Sequence, residues 1–356
     1  MNSLKIRLDL AFTGTIVLYG FLPETESTGL HLTFDKPRYS INVFMSDRTR
    51  QLEYFSKIPT TQEELLKQPA LMCKGLTIEI LDTKPEPTLL KSLERNDWTE
   101  NSRRHVAEFV ELAYEVHNGM VEYFRNLGQQ CWLEPQTPDG FNAQKNLQFV
   151  LDDLRAQWLH PTDGWQKLSV NQRSLMMQFR SHFMDGVDVN EWRKVETFVE
   201  SFLNDGKKAS VVDVLIANSL HHLEQQNGRL AVIEAVIALE AMLVVKGGLS
   251  KVIADVNDSS QLDSKLIDKL VERTGLRLGV QVMLRANAER IGIDATDIDT
   301  VLESIEVRNG LIHQKRNRID LEEAKNYVFV IRKVVACLRG RNLFRRAQAE
   351  LQIKFE

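Results

Sequence analysis

The sequence predicts an α+β N-terminal region, a small, mainly β part followed by helices, and then an all-α helical-bundle C-terminal domain. Three observations carry this. Apolar residues up to about residue 83 recur with period 2 or in short runs between turn-forming residues. From about residue 101 they recur at i, i+3, i+4 and i+7. The Leu203-Asn204-Asp205-Gly206 break is followed only by strong helical signals. The division is therefore 1–205, β-rich over 1–83 and helical over 100–205, and 206–356.

Leu4, Ile6, Leu8 and Leu10 alternate with Lys5, Arg7 and Asp9, the pattern of a half-buried strand. Thr13-Gly14 interrupts it before a second strand over Thr15–Leu22, closed by Pro23. Leu30–Phe34, Tyr39–Met45 and Leu76–Leu81 are further short strands, which together suit a small sheet or sandwich. Lys84-Pro85-Glu86-Pro87 breaks regular structure. Val106, Phe109, Val110, Ala113, Val116, Met120, Val121 and Phe124 then line one face of a long helix. Leu147–Trp158 and Trp192–Phe202 read as helices too. Beyond the break, helices are expected over Ser210–Gln225, Arg229–Val245, Gln261–Arg273, Val280–Ile291, Asp297–Asn309 and Leu321–Leu338.

The chain has 356 residues, 43% apolar and 26% charged, which excludes collagen-like, disulfide-scaffold and wholly disordered classes. Cys73, Cys131 and Cys337 lie far apart with no CxxC pair, so neither a disulfide framework nor a thiolate zinc site is expected. The N-terminus alternates charged and apolar residues, unlike a signal peptide, and the apolar run Ala235–Val245 carries Glu240 and cannot span a bilayer. A cytoplasmic protein without a membrane partner is the expectation. The net charge of −4 argues mildly against a nucleic-acid partner, but it is unevenly spread. Glu306–Arg346 holds 11 Lys and Arg against 4 Asp and Glu, a net +7, and the rest of the chain is −11.

That basic stretch contains the pattern Arg308-Asn309-x-x-x-His313. Upstream, Glu240 is the single acid in the apolar segment Ala235–Leu243. Histidine can transfer protons near neutral pH, and arginine presents a fixed fork to phosphate oxygens. On an ideal helix Arg308 and His313 sit about 140° apart around the axis, whereas Asn309 and His313 share a face that Arg316 continues. Either Asn309-Gly310 breaks the helix and turns Arg308 toward the site, or two chains assemble it; a bent motif inside a dimer interface combines both. A buried Glu240 needs a partner, and Arg308 is the candidate; otherwise Glu240 reaches solvent at the rim.

The motif and the Ala-Leu-Glu helix resemble the HEPN superfamily (higher eukaryotes and prokaryotes nucleotide-binding), its Apea-like branch most closely. The resemblance covers roughly residues 206–340. It implies a helical bundle, a homodimer with two motifs facing across a cleft, and a metal-independent endoribonuclease needing no cofactor. The setting it implies is an RNA-cleaving toxin or anti-phage effector. On that basis His313 is the general acid/base, Arg308 stabilises phosphate charge and Asn309 orients phosphate or His313. Glu240 orients Arg308, and Arg316 holds substrate. RNA contacts are expected from Lys315, Arg318, Arg339, Arg341, Arg345 and Arg346, with Phe344 among the last of these. The alternative is a non-catalytic HEPN-like module that binds RNA, a nucleotide or a protein, or simply dimerises. Residues 1–205 would sense or regulate through an unknown ligand or protein.

Other candidates read as structural. His221 and His222 are adjacent and diverge on a helix, the Lys246–Lys251 stretch lacks a Walker pattern, and Cys337 lies on an apolar stripe. Trp132, Trp158, Trp165 and Trp192 read as core or sheet packing rather than base-stacking residues.

Overall fold

The computed structural model describes residues 3–19, 30–57, 65–95, 97–136, 155–168, 187–188, 191–245, 292–313 and 318–339, and the single residues 277, 280, 281, 284, 285, 288 and 316; for 19, 47–57, 65–70 and 244–245 only the backbone is described. The chain divides into two compact units at Ala209/Ser210. The break at Gly206 is real: this glycine takes φ 64° and closes a helix. Residues 207–209 nevertheless stay with the first unit, where Glu122 accepts the Ala209 N–H at 3.1 Å.

The first unit is mixed α+β. Its strands are β1 (Leu4–Tyr19), β2 (His31–Asp35), β3 (Tyr39–Lys57), β4 (Leu65–Asp82), β5 (Arg155–His160), β6 (Gly164–Lys167) and β7 (Val187–Asp188). They form one sheet in the order β2-β3-β4-β1-β5-β6; β7 also joins β1 and makes the one parallel pair among the described strands. Leu4, Ile6 and Leu8 of β1, Ile78 and Ile80 of β4 and Ile41 and Val43 of β3 point to one buried face. That face shares a core with Val106, Phe109, Val110, Ala113 and Met120 of α2 (Glu100–Glu122), which Thr99 caps. α1 (Pro87–Arg95) begins on the proline of the expected breaker, where a missing N–H costs nothing. α2 runs on into a π-helical turn at Tyr123–Leu127, and α3 spans Trp192–Asp205.

Three expectations change here. The sheet is not confined to residues 1–83, because β5 lies antiparallel to Ile6–Asp9 and β6 and β7 extend it. The expected helix over 147–158 is therefore a strand from Arg155; residues 147–154 lie outside the described residues. Its burial alternates, with Ala156 and Trp158 inward, and a partner about 150 positions away satisfies its backbone. Thr13-Gly14 does not end β1 but marks a register shift between Ala11 and Ile16. Side chains also bond the β1 backbone near the shift: Gln130 bonds both the N–H and the carbonyl of Val17 (2.9 and 2.8 Å), and Trp132 donates to the Thr15 carbonyl at 2.8 Å.

In the second unit every regular element among the described residues is helical. α4 (Val211–Glu224) and α5 (Gly228–Val245) pack closely, and α6 (Ala295–Ile312) and α7 (Leu321–Leu338) pack on α5 and on each other. Ser210, Asp294 and Asp320 cap α4, α6 and α7 through their side chains. The expected helix over 261–273 lies outside the described residues, and six separate residues between 277 and 288 are helical. No described helix is long and apolar enough to cross a membrane.

Candidate functional site

Asn309-Gly310 does not break α6. The helix runs to Ile312, held by the buried Val307 and Leu311 on either side, and His313 is its C-terminal cap. Arg308 consequently lies on the core-facing stripe, three and seven residues after the buried Ile305 and Val301.

On that stripe Arg308 meets Glu240 of α5. Its Nη2 stands 3.0 Å from Glu240 Oε1 and donates to Oε2 at 3.1 Å, while Nη1 donates to Asn309 Oδ1 at 3.0 Å. The side chains of Arg308 and Glu240 keep 20% and 30% of their exposure, so the pair sits at a rim, neither dry nor fully wet. Arg308 Nε is buried and has no hydrogen-bond partner among the described residues. The guanidinium is thus held at three points with its Nε edge unused.

His313 caps the same helix end. Its N–H donates to the Asn309 carbonyl at 3.0 Å, and the residue is exposed. Arg316 stands at the same helix end. It donates its backbone N–H to the Gly310 carbonyl at 3.1 Å and its Nε to the Arg318 carbonyl at 3.0 Å. Arg316 Nη2 lies 2.5 Å from Glu323 Oε2, and that hydrogen bond raises the arginine's pKa. Tyr327 donates to the other Glu323 oxygen at 3.0 Å; burial first, then Glu323, pushes its hydroxyl above the usual range. Arg318 is exposed. The structure brings Arg308, Asn309 and Glu240 together and sets His313 and Arg316 at the adjoining end of α6.

Among its described residues, the basic stretch from Glu306 to Arg346 is not an unpaired positive surface. Arg339 bonds Asp213 through Nη1 and the Ser210 hydroxyl at 3.0 Å through Nη2. It therefore secures the start of α4, an engagement beyond the RNA contact expected of it. Lys333 sits 2.6 Å from Asp297, both buried, and Lys325 pairs with Glu322 at 2.5 Å. Several of the acids that answer these cations, Asp213, Glu240 and Asp297, lie outside the stretch, so a count along the chain overstates the field. Lys315, Arg341, Phe344, Arg345 and Arg346 lie outside the described residues.

One neighbour escaped the sequence reading. Arg229, the second residue of α5, donates Nη2 to the Leu311 carbonyl at 3.1 Å. Its only sequence signal was its place beside the Asn227-Gly228 turn. The remaining candidates are structural in geometry: His222 Nε2 lies 3.3 Å from Glu234 Oε1, Cys337 is buried, and Arg7 lies 4.0 Å over the Trp165 ring. The Lys246–Lys251 stretch is outside the described residues. Among those described, no three His, Cys, Asp or Glu residues are grouped to hold a metal ion.

Compared with known proteins, the chain matches no family model, no curated protein and no solved structure.

Proposed function

We propose that the second unit is a HEPN-like helical bundle that cleaves RNA as a homodimer without a metal ion. The observation that carries this reading is the arrangement at the end of α6. An exposed His313 stands one and a half turns beyond an arginine clamped by Glu240 and Asn309. A histidine kept for packing would be buried.

In the reaction, a base removes the proton of a 2′-hydroxyl and the oxygen attacks the adjacent phosphorus. The bond from phosphorus to the 5′-oxygen breaks, an acid protonates that oxygen, and a 2′,3′-cyclic phosphate remains. His313 of one chain supplies one proton transfer, and the same residue of a second copy supplies the other. Arg308 meets the phosphate charge, Glu240 fixes the plane of the guanidinium, and Asn309 orients phosphate or His313. Arg316 and Arg318 hold the chain of the substrate. The first unit senses or regulates. A cytoplasmic toxin or anti-phage effector is the biological setting of this proposal.

One observation favours a second reading. Arg308 is already engaged by Glu240 and Asn309, which suits a non-catalytic RNA-binding or dimerising module. A single experiment separates the two. Full-length protein and its His313→Ala variant are incubated with total RNA in EDTA. Cleavage by wild type, leaving cyclic-phosphate ends, and a loss of about 10²–10⁴-fold in the variant are expected. Equal activity in both, or complete loss in EDTA, refutes the ribonuclease reading.

A further inference from the structure

Two features of the second unit converge on the residues that open α5. The last carbonyls of a helix have no partner within it. At the end of α6 the Gly310 carbonyl takes the Arg316 N–H, and the Leu311 carbonyl takes Nη2 of Arg229, 82 positions earlier in the chain. Gly228, beside it, is buried against the other end of the connection. A Cβ there would stand 2.9 Å from Ala324 Cβ and 3.2 Å from Ile319 Cγ2, so only a glycine lets α5 start this close to α7. Asn227 fixes the corner: its side chain accepts the Leu230 N–H at 3.2 Å and its carbonyl accepts the Ala231 N–H at 3.1 Å. The dipeptide Gly228-Arg229 therefore touches the last turn of α6 and the first turn of α7. His313, Arg316 and Arg318 lie in the chain between those two points.

We infer that Arg229 is a positioning residue for His313. By holding the carbonyl two residues before the histidine, it fixes where the chain leaves α6 and how the imidazole stands relative to Arg308. Rotation of Ile312 about that carbonyl would otherwise swing His313 away. The inference deepens the ribonuclease reading and rests on it for the effect on rate, though not for the contact. Arg229 itself touches neither substrate nor the reacting atoms.

The test uses full-length wild type, Arg229→Ala and Arg229→Lys, with two readouts. The first is hydrogen exchange at the His313 and Arg316 amides. Arg229→Ala is expected to speed it about tenfold, to leave exchange at Val236 in the middle of α5 unchanged, and to be reversed by Arg229→Lys, which restores a donor. The second is RNA cleavage, where Arg229→Ala is expected to lower kcat about tenfold at an unchanged KM. Unchanged exchange at His313 and Arg316 overturns the inference. So does faster exchange spread evenly over α5, α6 and α7, or a change confined to KM. If wild type leaves RNA intact, the ribonuclease reading falls, and the exchange comparison still decides whether Arg229 holds His313.

Discussion

Acid is expected to weaken the first unit through one buried imidazole. His117 of α2 has no exposed surface and stacks on Phe12, with ring centroids 5.0 Å apart. Asn118 accepts the Gln136 N–H through Oδ1 at 2.9 Å and donates Nδ2 to the Gln136 carbonyl at 2.8 Å, which fixes its orientation. His117 Nδ1, 3.2 Å from that Oδ1, must carry the proton. Nε2 is then the atom to be protonated, in a site without a hydrogen-bond partner among the described residues. Burial lowers the pKa from 6.5 to about 4, opposed by Asn118 and the Ala11 carbonyl. Above pH 6.5 the ring is neutral folded or unfolded and costs nothing. Between 6.5 and about 4 the unfolded chain takes up the proton and the folded chain does not, so stability falls by roughly 1.4 kcal/mol per pH unit. The loss totals about 3 kcal/mol at pH 4, a large part of a typical stability. All five tryptophans precede residue 210, so their fluorescence in urea titrations reports the first unit alone. Wild type and His117→Gln would be compared at pH 7.5 and 4.5. The gap between them should move by about 2.5 kcal/mol in favour of the variant at the lower pH. Comparing the two proteins cancels the carboxylates that titrate in both. A gap that stays constant refutes the reasoning.

Two further substitutions test the packing. Lys333→Met leaves the buried Asp297 without its partner at 2.6 Å. It should cost about 3–5 kcal/mol in thermal unfolding followed by circular dichroism, and a loss below about 1 kcal/mol would contradict a true buried pair. Gly75→Ala places a Cβ 2.7 Å from the Leu10 carbonyl, where β4 meets the irregular part of β1. A loss of about 1–3 kcal/mol of stability in urea unfolding is expected, and a neutral result would show that the two strands can part there.

Much of the fold was legible because its signals are local. The alternation of Leu4–Leu10 placed β1, and the apolar stripe from Val106 to Phe124 placed α2. Leu321–Leu338 matches α7 at both ends because Asp320 caps it and apolar spacing fills it. β5 was not legible: six residues are too few for a period to declare itself, and the pairing that makes them a strand lies in β1. At the site, the pairing of Glu240 with Arg308 could be read from a lone acid on an apolar helix. The continuity of α6 through Asn309-Gly310 could not. A mid-helix glycine costs about 1 kcal/mol, which the burial of Val307 and Leu311 outweighs, and that burial is tertiary. The pairing of Arg339 was not legible for the same reason, since Asp213 lies 126 positions away.

Apolar stripes on a helix repeat every turn and do not distinguish one turn from the next. A slip of one turn, about 5.4 Å, would still bury leucine and valine against their like. In the second unit such a slip would part Arg308 from Glu240, Lys333 from Asp297 and Arg339 from Asp213, stranding charges in places short of water. The three pairs join α6 to α5, α7 to α6 and α7 to α4. They work as keys cut at different heights, and the height of α6 against α5 is also the height at which His313 leaves its helix.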